Sequence, residues 1–227
     1  MINIPNVPFV RTLFEINEKM EHTSYMMKNK TYAERVLELA NQKEIIRLRD
    51  LEEIDIPRVV LTRLLRSGQL EKIARGLYCL PKRQFTENTS LVTIAIKIPQ
   101  AIFCLLTALQ IHELTTQLPR QVWIAMPRGS HVPKLDYPPL KMIQCSANIY
   151  SEGIETREYD KQIIRVYNPA KTVVDCFKYR NTIGLDVAIE ALKEVRAQKK
   201  ASADALWHFA KICRVTNVMR PYLEVIE

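Results

Sequence analysis

Apolar residues recur every three to four positions across residues 33–40, a spacing that predicts an amphipathic helix. The helix is expected to start at Thr31 and to end near residue 43. Glu34 lies three residues after Thr31, and such a pair forms a capping box. A second short helix is predicted over residues 49–54. The apolar stripe of the first helix consists of Ala33, Val36, Leu37 and Ala40.

Residues 57–67 predict a third helix whose two sides differ in polarity. Pro57 is expected at the first helical position, and Gly68 is expected to cap the end of the helix. A helical projection separates an apolar side, which packs, from a basic side, which faces solvent. The apolar side consists of Val60, Leu61, Leu64 and Leu65. The basic side consists of Arg58, Val59, Thr62, Arg63 and Arg66.

Two strand-like runs follow, over residues 70–73 and 77–80. The bend between them contains Gly76, and glycine readily adopts the positive φ that a tight hairpin requires. Helix, short helix, basic helix and hairpin within about 50 residues is the order of a winged helix-turn-helix. The sequence therefore predicts a winged helix-turn-helix domain over residues 31–82, with an N-terminal extension over residues 1–30.

The rest of the chain mixes helix and strand patterns. Polar residues at 81–88 predict a domain boundary, and residues 89–227 predict a mixed α/β domain with a helical C-terminus, so the fold class is α+β. Asn168-Pro169 is a strong helix start, because a capping side chain is followed by proline. Helices are predicted at residues 90–97, 101–112, 168–179, 185–198 and 203–213, and strands at 122–126, 140–145, 154–157 and 163–167.

The formal charge of +8 suggests a polyanionic partner. Residues 58–83 alone hold seven basic side chains against one acid, Glu71, while the rest of the chain is near neutral. Guanidinium groups on a helix face can bind phosphates and guanine edges in the major groove. The predicted DNA contacts are Arg58, Val59, Thr62, Arg63 and Arg66 from the helix, and Lys72 and Arg75 from the wing. The alternative is a solvated helix face beside an exposed hairpin.

Other classes of protein find little support in the sequence. No apolar stretch approaches the roughly 20 residues of a membrane span, and no signal peptide is evident, so a cytoplasmic protein is expected. The five cysteines lie far apart and predict reduced, mostly buried thiols, with neither a metal site nor a cofactor. No Asp or Glu has Lys two positions later, as a metal-dependent nuclease of the PD-(D/E)-x-K type would require. The chain is therefore expected not to be an enzyme.

Three separated blocks resemble the AbiEi-type antitoxins, the transcriptional regulators of type IV toxin–antitoxin (abortive infection) operons. The first is PRVVLTRLLRSG at 57–68 followed by LEKIARGLY at 70–78. The second is LTALQIHELTTQ at 106–117, followed by Pro119 and VWIA at 122–125. The third is YNPAKTVVDCF at 167–177. The resemblance extends over roughly residues 31–195.

The resemblance implies an autorepressor that binds inverted repeats in its own promoter and serves in phage defence. It also implies a C-terminal antitoxin domain that opposes a nucleotidyltransferase-like toxin without stable contact. Inverted repeats require a dimer or two monomers side by side, and the monomer arrangement is favoured. The alternatives are a winged-helix module for protein contacts, or a lone regulator without antitoxin activity.

Two groups in the second domain are candidates for the antitoxin activity. Thr115, Thr116 and Gln117 form either a polar functional loop or the connection from a helix to the following strand. Lys171 and Asp175 are four residues apart on one predicted helix. They form either an ion pair or, together with Arg180, an exposed polar site. Trp123 and Phe177 are predicted core residues.

Overall fold

The chain divides after Arg83 into two units, Met1–Arg83 and Gln84–Glu227. The structure, a computed structural model, describes residues 30–43, 45–81, 87–133, 135, 138–159 and 162–224. The predicted extension at residues 1–30 lies outside this part of the chain except for Lys30. No helix within the described ranges is long and apolar enough to cross a bilayer.

In the described residues, the first unit contains three helices and a small antiparallel sheet with strand order β1-β3-β2. Its elements are α1 (Tyr32–Lys43), β1 (Ile46–Arg47), α2 (Leu48–Glu52), α3 (Arg58–Arg66), β2 (Glu71–Ala74) and β3 (Leu77–Cys79). The predicted capping box of α1 is confirmed. The backbone N–H of Thr31 donates to Glu34 Oε2 at 2.8 Å, and the backbone N–H of Glu34 donates to Thr31 Oγ1 at 3.3 Å.

The apolar sides of the three helices meet in one core. Val36 and Ala40 of α1 and Leu51 of α2 are buried there against α3, whose buried residues are Val60, Leu61 and Leu64. One detail of the sequence prediction was wrong, and one element was missed. Pro57 precedes α3 as its N-cap, with extended backbone, and does not occupy its first turn. The short strand β1 was not predicted, because two residues are too few to show an alternating pattern.

The second unit is built on a five-stranded mixed sheet with strand order β6-β5-β4-β8-β7. Its strands are β4 (Ile102–Phe103), β5 (Val122–Pro127), β6 (Leu140–Cys145), β7 (Ile154–Tyr159) and β8 (Gln162–Tyr167). Its helices are α4 (Glu87–Lys97), α5 (Leu105–Ile111), α6 (Ala147–Ser151), α7 (Pro169–Lys178), α8 (Arg180–Ile183), α9 (Leu185–Ala197), α10 (Ala203–Cys213) and α11 (Thr216–Leu223). The predicted α+β class and helical C-terminus are confirmed.

Both faces of this sheet are covered, because successive side chains of a strand point to opposite sides. Ile102 packs into a cluster with the C-terminal helices, whereas its neighbour Phe103 packs into a second cluster with α4. Trp123 belongs to the first cluster and Ile124 to the second. Phe177 of α7 is buried in the first, so the core positions predicted for Trp123 and Phe177 are confirmed.

The helix predicted over residues 101–112 was partly wrong. Its first residues form the central strand β4, Cys104 is extended, and the helix α5 begins only at Leu105. A short, fully apolar run does not distinguish a buried strand from a buried helix. The hairpin of β7 and β8 is confirmed, although Asp160 and Lys161, predicted at its turn, lie outside the described residues. The Asn168 cap is also confirmed, since its Oδ1 accepts the Lys171 N–H at 2.8 Å.

Candidate nucleic-acid interface

The outward side of α3 carries every residue that the sequence assigned to the DNA-contacting helix. These are Arg58, Val59, Thr62, Arg63 and Arg66, and all are exposed. Val59 is apolar, yet 53% of its surface is accessible. Exposing an apolar side chain forgoes the free energy that its burial would contribute. Thr62 Oγ1 donates to the backbone carbonyl of Arg58 at 3.3 Å. The face therefore combines charged donors, a hydroxyl and a branched apolar group on one accessible surface.

Both ends of α3 are fixed by local backbone geometry. Pro57 precedes the helix with an extended backbone, and Ser67 caps its end. Gly68 follows with φ of +68°, the left-handed conformation that commonly terminates helices. These ends, together with the burial of the opposite side, fix which residues of α3 face outwards.

The charge on α3 is entirely positive, since the helix contains no acidic residue. Glu52 at the end of α2 is the nearest compensating group, and its Oε1 lies 2.6 Å from Arg58 Nη2. Within the part of the chain that the structure describes, neither Arg63 nor Arg66 has a carboxylate partner. Among the three arginines of α3, these two are therefore the ones most available to an external anion.

The hairpin of β2 and β3 adds two more exposed cationic side chains, Lys72 and Arg75. The turn is tight: Ala74 pairs with Leu77, and Gly76 has φ of +77°. The carbonyl of Gly76 accepts the backbone N–H of Leu48 at 3.3 Å, so the hairpin tip is tied to the start of α2.

Asp50 is a structural residue of this unit that the sequence analysis missed. Its side chain is buried, and its Oδ2 accepts the backbone N–H of Arg47 at 2.7 Å. Arg47 Nη2 and Lys43 Nζ also donate to Oδ1, at 2.9 and 3.0 Å. Burial raises the pKa of Asp50, but the hydrogen bonds from Arg47 and Lys43 outweigh it and hold this pKa below its usual range. The sequence did contain a signal for this role, because an acidic residue three positions after the start of a helix can cap its first turn.

The candidate residues of the second unit do not share a surface. Thr116 and Gln117 are exposed and Thr115 is half-buried, in the connection between α5 and β5. The Gln117 N–H donates to Thr115 Oγ1 at 3.1 Å. A cavity of about 420 Å³ opens next to this connection, and none of these three residues lines it. Either sequence hypothesis for Thr115–Gln117 is compatible with this placement.

Lys171 and Asp175 form a buried ion pair between Nζ and Oδ2, with side-chain exposures of 0% and 2%. Of the two sequence hypotheses, the ion pair is confirmed and the exposed polar site is wrong. Lys171 Nζ also lies 4.2 Å from the centre of the Tyr167 ring. The Cys213 thiol donates to the other Asp175 oxygen, Oδ1, at 3.4 Å. Burial lowers the pKa of Lys171, but the charge of Asp175 outweighs burial and raises it. Lys171 therefore stays charged inside the core.

His112 forms a second buried polar centre in this unit. Its Nδ1 lies 3.0 Å from Arg157 Nη2, and its Nε2 lies 2.7 Å from the carbonyl of Tyr167. A guanidinium only donates, so Nδ1 must accept, and Nε2 carries the proton that is donated to the carbonyl. Burial lowers the pKa of His112 to about 4, opposed by the Tyr167 carbonyl and assisted by the charges of Arg157 and Lys200.

This geometry predicts a loss of stability in mild acid. In the unfolded chain His112 binds a proton near pH 6.5, whereas in the folded chain it does so only near pH 4. Its contribution is therefore complete above pH 6.5 and is lost as the pH falls towards 4, by about 3 kcal/mol. Urea unfolding between pH 7 and pH 4.5 measures this change. His112→Gln is the control, since it should flatten this part of the pH dependence; an unchanged slope in the variant would contradict the prediction.

All five cysteines are free and buried, as the sequence predicted. Burial, together with the charge of Asp175, raises the pKa of Cys213 to about 12 and raises that of Cys176 further. These thiols are therefore protonated. Within the described residues, no three His, Cys, Asp or Glu side chains cluster in a way that would hold a metal ion.

The helix-rich first unit, which carries the cationic face, is the part of the chain that a family model matches. Residues 34–81 match the family model described as transcriptional regulator, AbiEi antitoxin. The resemblance inferred from the sequence is confirmed over this segment. The resembling blocks at 106–125 and 167–177 lie outside it and stay predictions.

The chain is also similar in fold to a solved structure. It is described as the crystal structure of the RV2827C protein from Mycobacterium tuberculosis, with a TM-score of 0.58 and 13% sequence identity. The similarity covers 80% of this chain and 72% of that one. At this level of identity the similarity demonstrates a common fold and nothing further. No curated protein matches the sequence significantly.

Proposed function

We propose that the protein is a DNA-binding transcriptional autorepressor that also acts as the antitoxin of a type IV toxin–antitoxin system. In this proposal the first unit is a winged helix-turn-helix, α3 is its recognition helix and the hairpin of β2 and β3 is its wing. The observation that carries the proposal is the exposed face of α3, which has three arginines and no acid. The order of elements and the strand order β1-β3-β2 support it.

The side chains of α3 suit different parts of a DNA duplex. Arg63 and Arg66 can present two parallel N–H groups to the O6 and N7 atoms of guanine. Thr62 and Val59 can contact base edges, Val59 through the methyl group of thymine. Arg58 would exchange Glu52 for a phosphate, because both side chains of this ion pair are exposed to solvent. Lys72 and Arg75 would bind phosphates, which position the protein without reading sequence.

The second unit is proposed to carry the antitoxin activity against a nucleotidyltransferase-like toxin, without stable contact between the two proteins. The family description of the matching segment supports a protein of this kind. Thr115, Thr116 and Gln117 are the proposed functional residues of this unit, since they lie at or near the surface. Lys171 and Asp175 would act from inside the core by holding α7 in place, because neither can reach a partner directly.

The DNA-binding proposal is tested by titrating the full chain with the duplex directly upstream of its own reading frame. A random duplex of equal length is the control. We expect the upstream duplex to bind on the order of 1,000-fold more tightly, with log affinity falling linearly as log salt rises. Lys72→Ala should weaken binding to both duplexes and reduce the salt slope by about 1. Equal affinity for the two duplexes would favour a winged helix used for protein contacts.

The antitoxin proposal is tested in cells that express the nucleotidyltransferase-like product of a neighbouring reading frame. Co-expression of the full chain should restore growth. The Arg63→Ala/Arg66→Ala variant should restore it equally well while losing repression, because the two activities belong to different units. Failure of the wild-type chain to restore growth would leave a lone transcriptional regulator.

A further inference from the structure

The strand β7 forms one edge of the sheet in the second unit, with β8 as its single neighbour among the described strands. Tyr159 pairs with Gln162, two strand ends separated by only two residues in sequence, and such flanking residues form a hydrogen-bonded pair. The carbonyl of Gly153 likewise accepts the N–H of Asn168 at 2.7 Å. The odd-numbered residues of β7 therefore direct their backbone groups towards β8.

The even-numbered residues of β7 direct their N–H and C=O groups outwards, because backbone direction alternates along a strand. They are Ile154, Thr156 and Glu158. Thr156 and Glu158 are exposed and Ile154 is half-buried. A row of outward N–H and C=O groups is a template for one more strand.

The charges of β7 are arranged symmetrically about Thr156. Glu155 precedes it and Arg157 follows it, and these two side chains lie on the same face of the sheet. They are 44% and 41% exposed, with Glu155 Oε2 3.9 Å from Arg157 Nη2. A segment with opposite charges on either side of a central residue is complementary to itself when it is reversed.

We propose that two copies of this chain associate by pairing β7 with the partner's β7, antiparallel, about a two-fold axis at Thr156. In this register Thr156 lies opposite the partner's Thr156, and Ile154 lies opposite the partner's Glu158. Each of these hydrogen-bonded pairs exchanges two backbone bonds. Glu155 then lies directly opposite the partner's Arg157, on both sides of the axis.

Neighbouring registers are disfavoured by charge. Outward groups must meet outward groups, so the axis has to pass through a residue and not between two residues. An axis at Glu155 would place this carboxylate against the partner's Glu155, and an axis at Arg157 would oppose two guanidinium groups. Directly opposed like charges destabilise a strand pair. The Thr156 register avoids both, and Arg157 can keep its bond to His112 because a guanidinium has five N–H donors.

The pairing joins the two sheets into one and yields an isologous dimer, in which the same surface is used by both copies. Its consequence for DNA rests on the proposed function: such a dimer carries two α3 helices, as an inverted repeat requires. The edge strand thus favours a preformed dimer over the two separate monomers that the sequence analysis favoured.

The test is sedimentation equilibrium of the full chain, without DNA, over a wide range of concentrations. We expect the wild type to reach twice the chain mass of 26.4 kDa. Glu155→Arg should raise the dimer dissociation constant at least tenfold, because it opposes two guanidinium groups across the axis. Arg157→Glu should do the same with carboxylates. An equimolar mixture of the two variants should recover the dimer, since each reversed charge then meets its opposite.

Thr156→Pro provides an independent check that does not alter charge. It removes an outward N–H at the axis, and proline is tolerated on edge strands where the N–H does not face the neighbouring strand. We expect this variant to be monomeric with an unchanged far-UV spectrum. A wild type that stays monomeric at every concentration, or a dimer that tolerates both Glu155→Arg and Thr156→Pro, would overturn the proposal. Because no DNA is present, a failure of the DNA-binding proposal leaves this result unaffected.

Discussion

Replacing Arg63 and Arg66 together with alanine is expected to weaken binding to the upstream duplex about 30-fold or more. An arginine that reads a base contributes about 1–3 kcal/mol, so two such residues contribute at least about 2 kcal/mol if they act independently. Both lie in the last turn of α3, exposed and without a carboxylate partner among the described residues. Fluorescence anisotropy with a labelled duplex at fixed salt measures the change.

A second variant controls for the loss of two positive charges. Lys193→Ala/Lys211→Ala removes two exposed positive charges from the second unit and should change the affinity little. Arg63→Lys/Arg66→Lys keeps both charges but loses the planar pair of donors. If this lysine variant binds as the wild type does, the two residues contact phosphates and not bases. Unchanged affinity of the alanine variant would refute the assignment of α3.

Breaking the buried ion pair of α7 is expected to destabilise the second unit by about 3–5 kcal/mol. Lys171→Met leaves the Asp175 carboxyl group without its ionic partner in the core, and Asp175→Leu does the same to the amino group of Lys171. The double variant removes both charges and should lose far less stability than either single variant. Both tryptophans, Trp123 and Trp207, lie in the second unit, so their fluorescence during urea unfolding reports on that unit.

The coupling energy between Lys171 and Asp175 tests in solution whether this pair is buried. A buried pair predicts that the two single losses are strongly non-additive. Near-additive losses of under about 0.5 kcal/mol each would indicate surface positions and contradict the structure. In either outcome the α3 face is untouched, so DNA binding at moderate temperature should persist in all three variants.

Local chemistry made much of the fold predictable. The Thr31 and Glu34 capping box, the Asn168 cap and the position of Gly68 after α3 all involve neighbours in sequence, and all were confirmed. The strand β4 was missed for the opposite reason. Ile102 and Phe103 are strand residues because β5 and β8 lie on either side of them, and no local pattern records that pairing.

The candidate sites show the same limit. The outward face of α3 followed from helical periodicity alone, because one helix has to bury Val60, Leu61 and Leu64. The burial of Lys171 and Asp175 could not be predicted from the sequence, since their spacing fits a solvated ion pair as well as a buried one. The packing of α5, α9 and α10 against α7 excludes water from them. The pairing of Arg157 with His112 joins residues 45 positions apart and left no signal in the sequence.

The buried cysteines can report the local unfolding of each unit separately. Cys79 lies in the first unit, and Cys104, Cys145, Cys176 and Cys213 lie in the second. A thiol-specific reagent can modify them only when the surrounding structure opens. The rate at which Cys79 is labelled, set against the rates of the other four, therefore gives the opening free energy of each unit separately in the intact native chain.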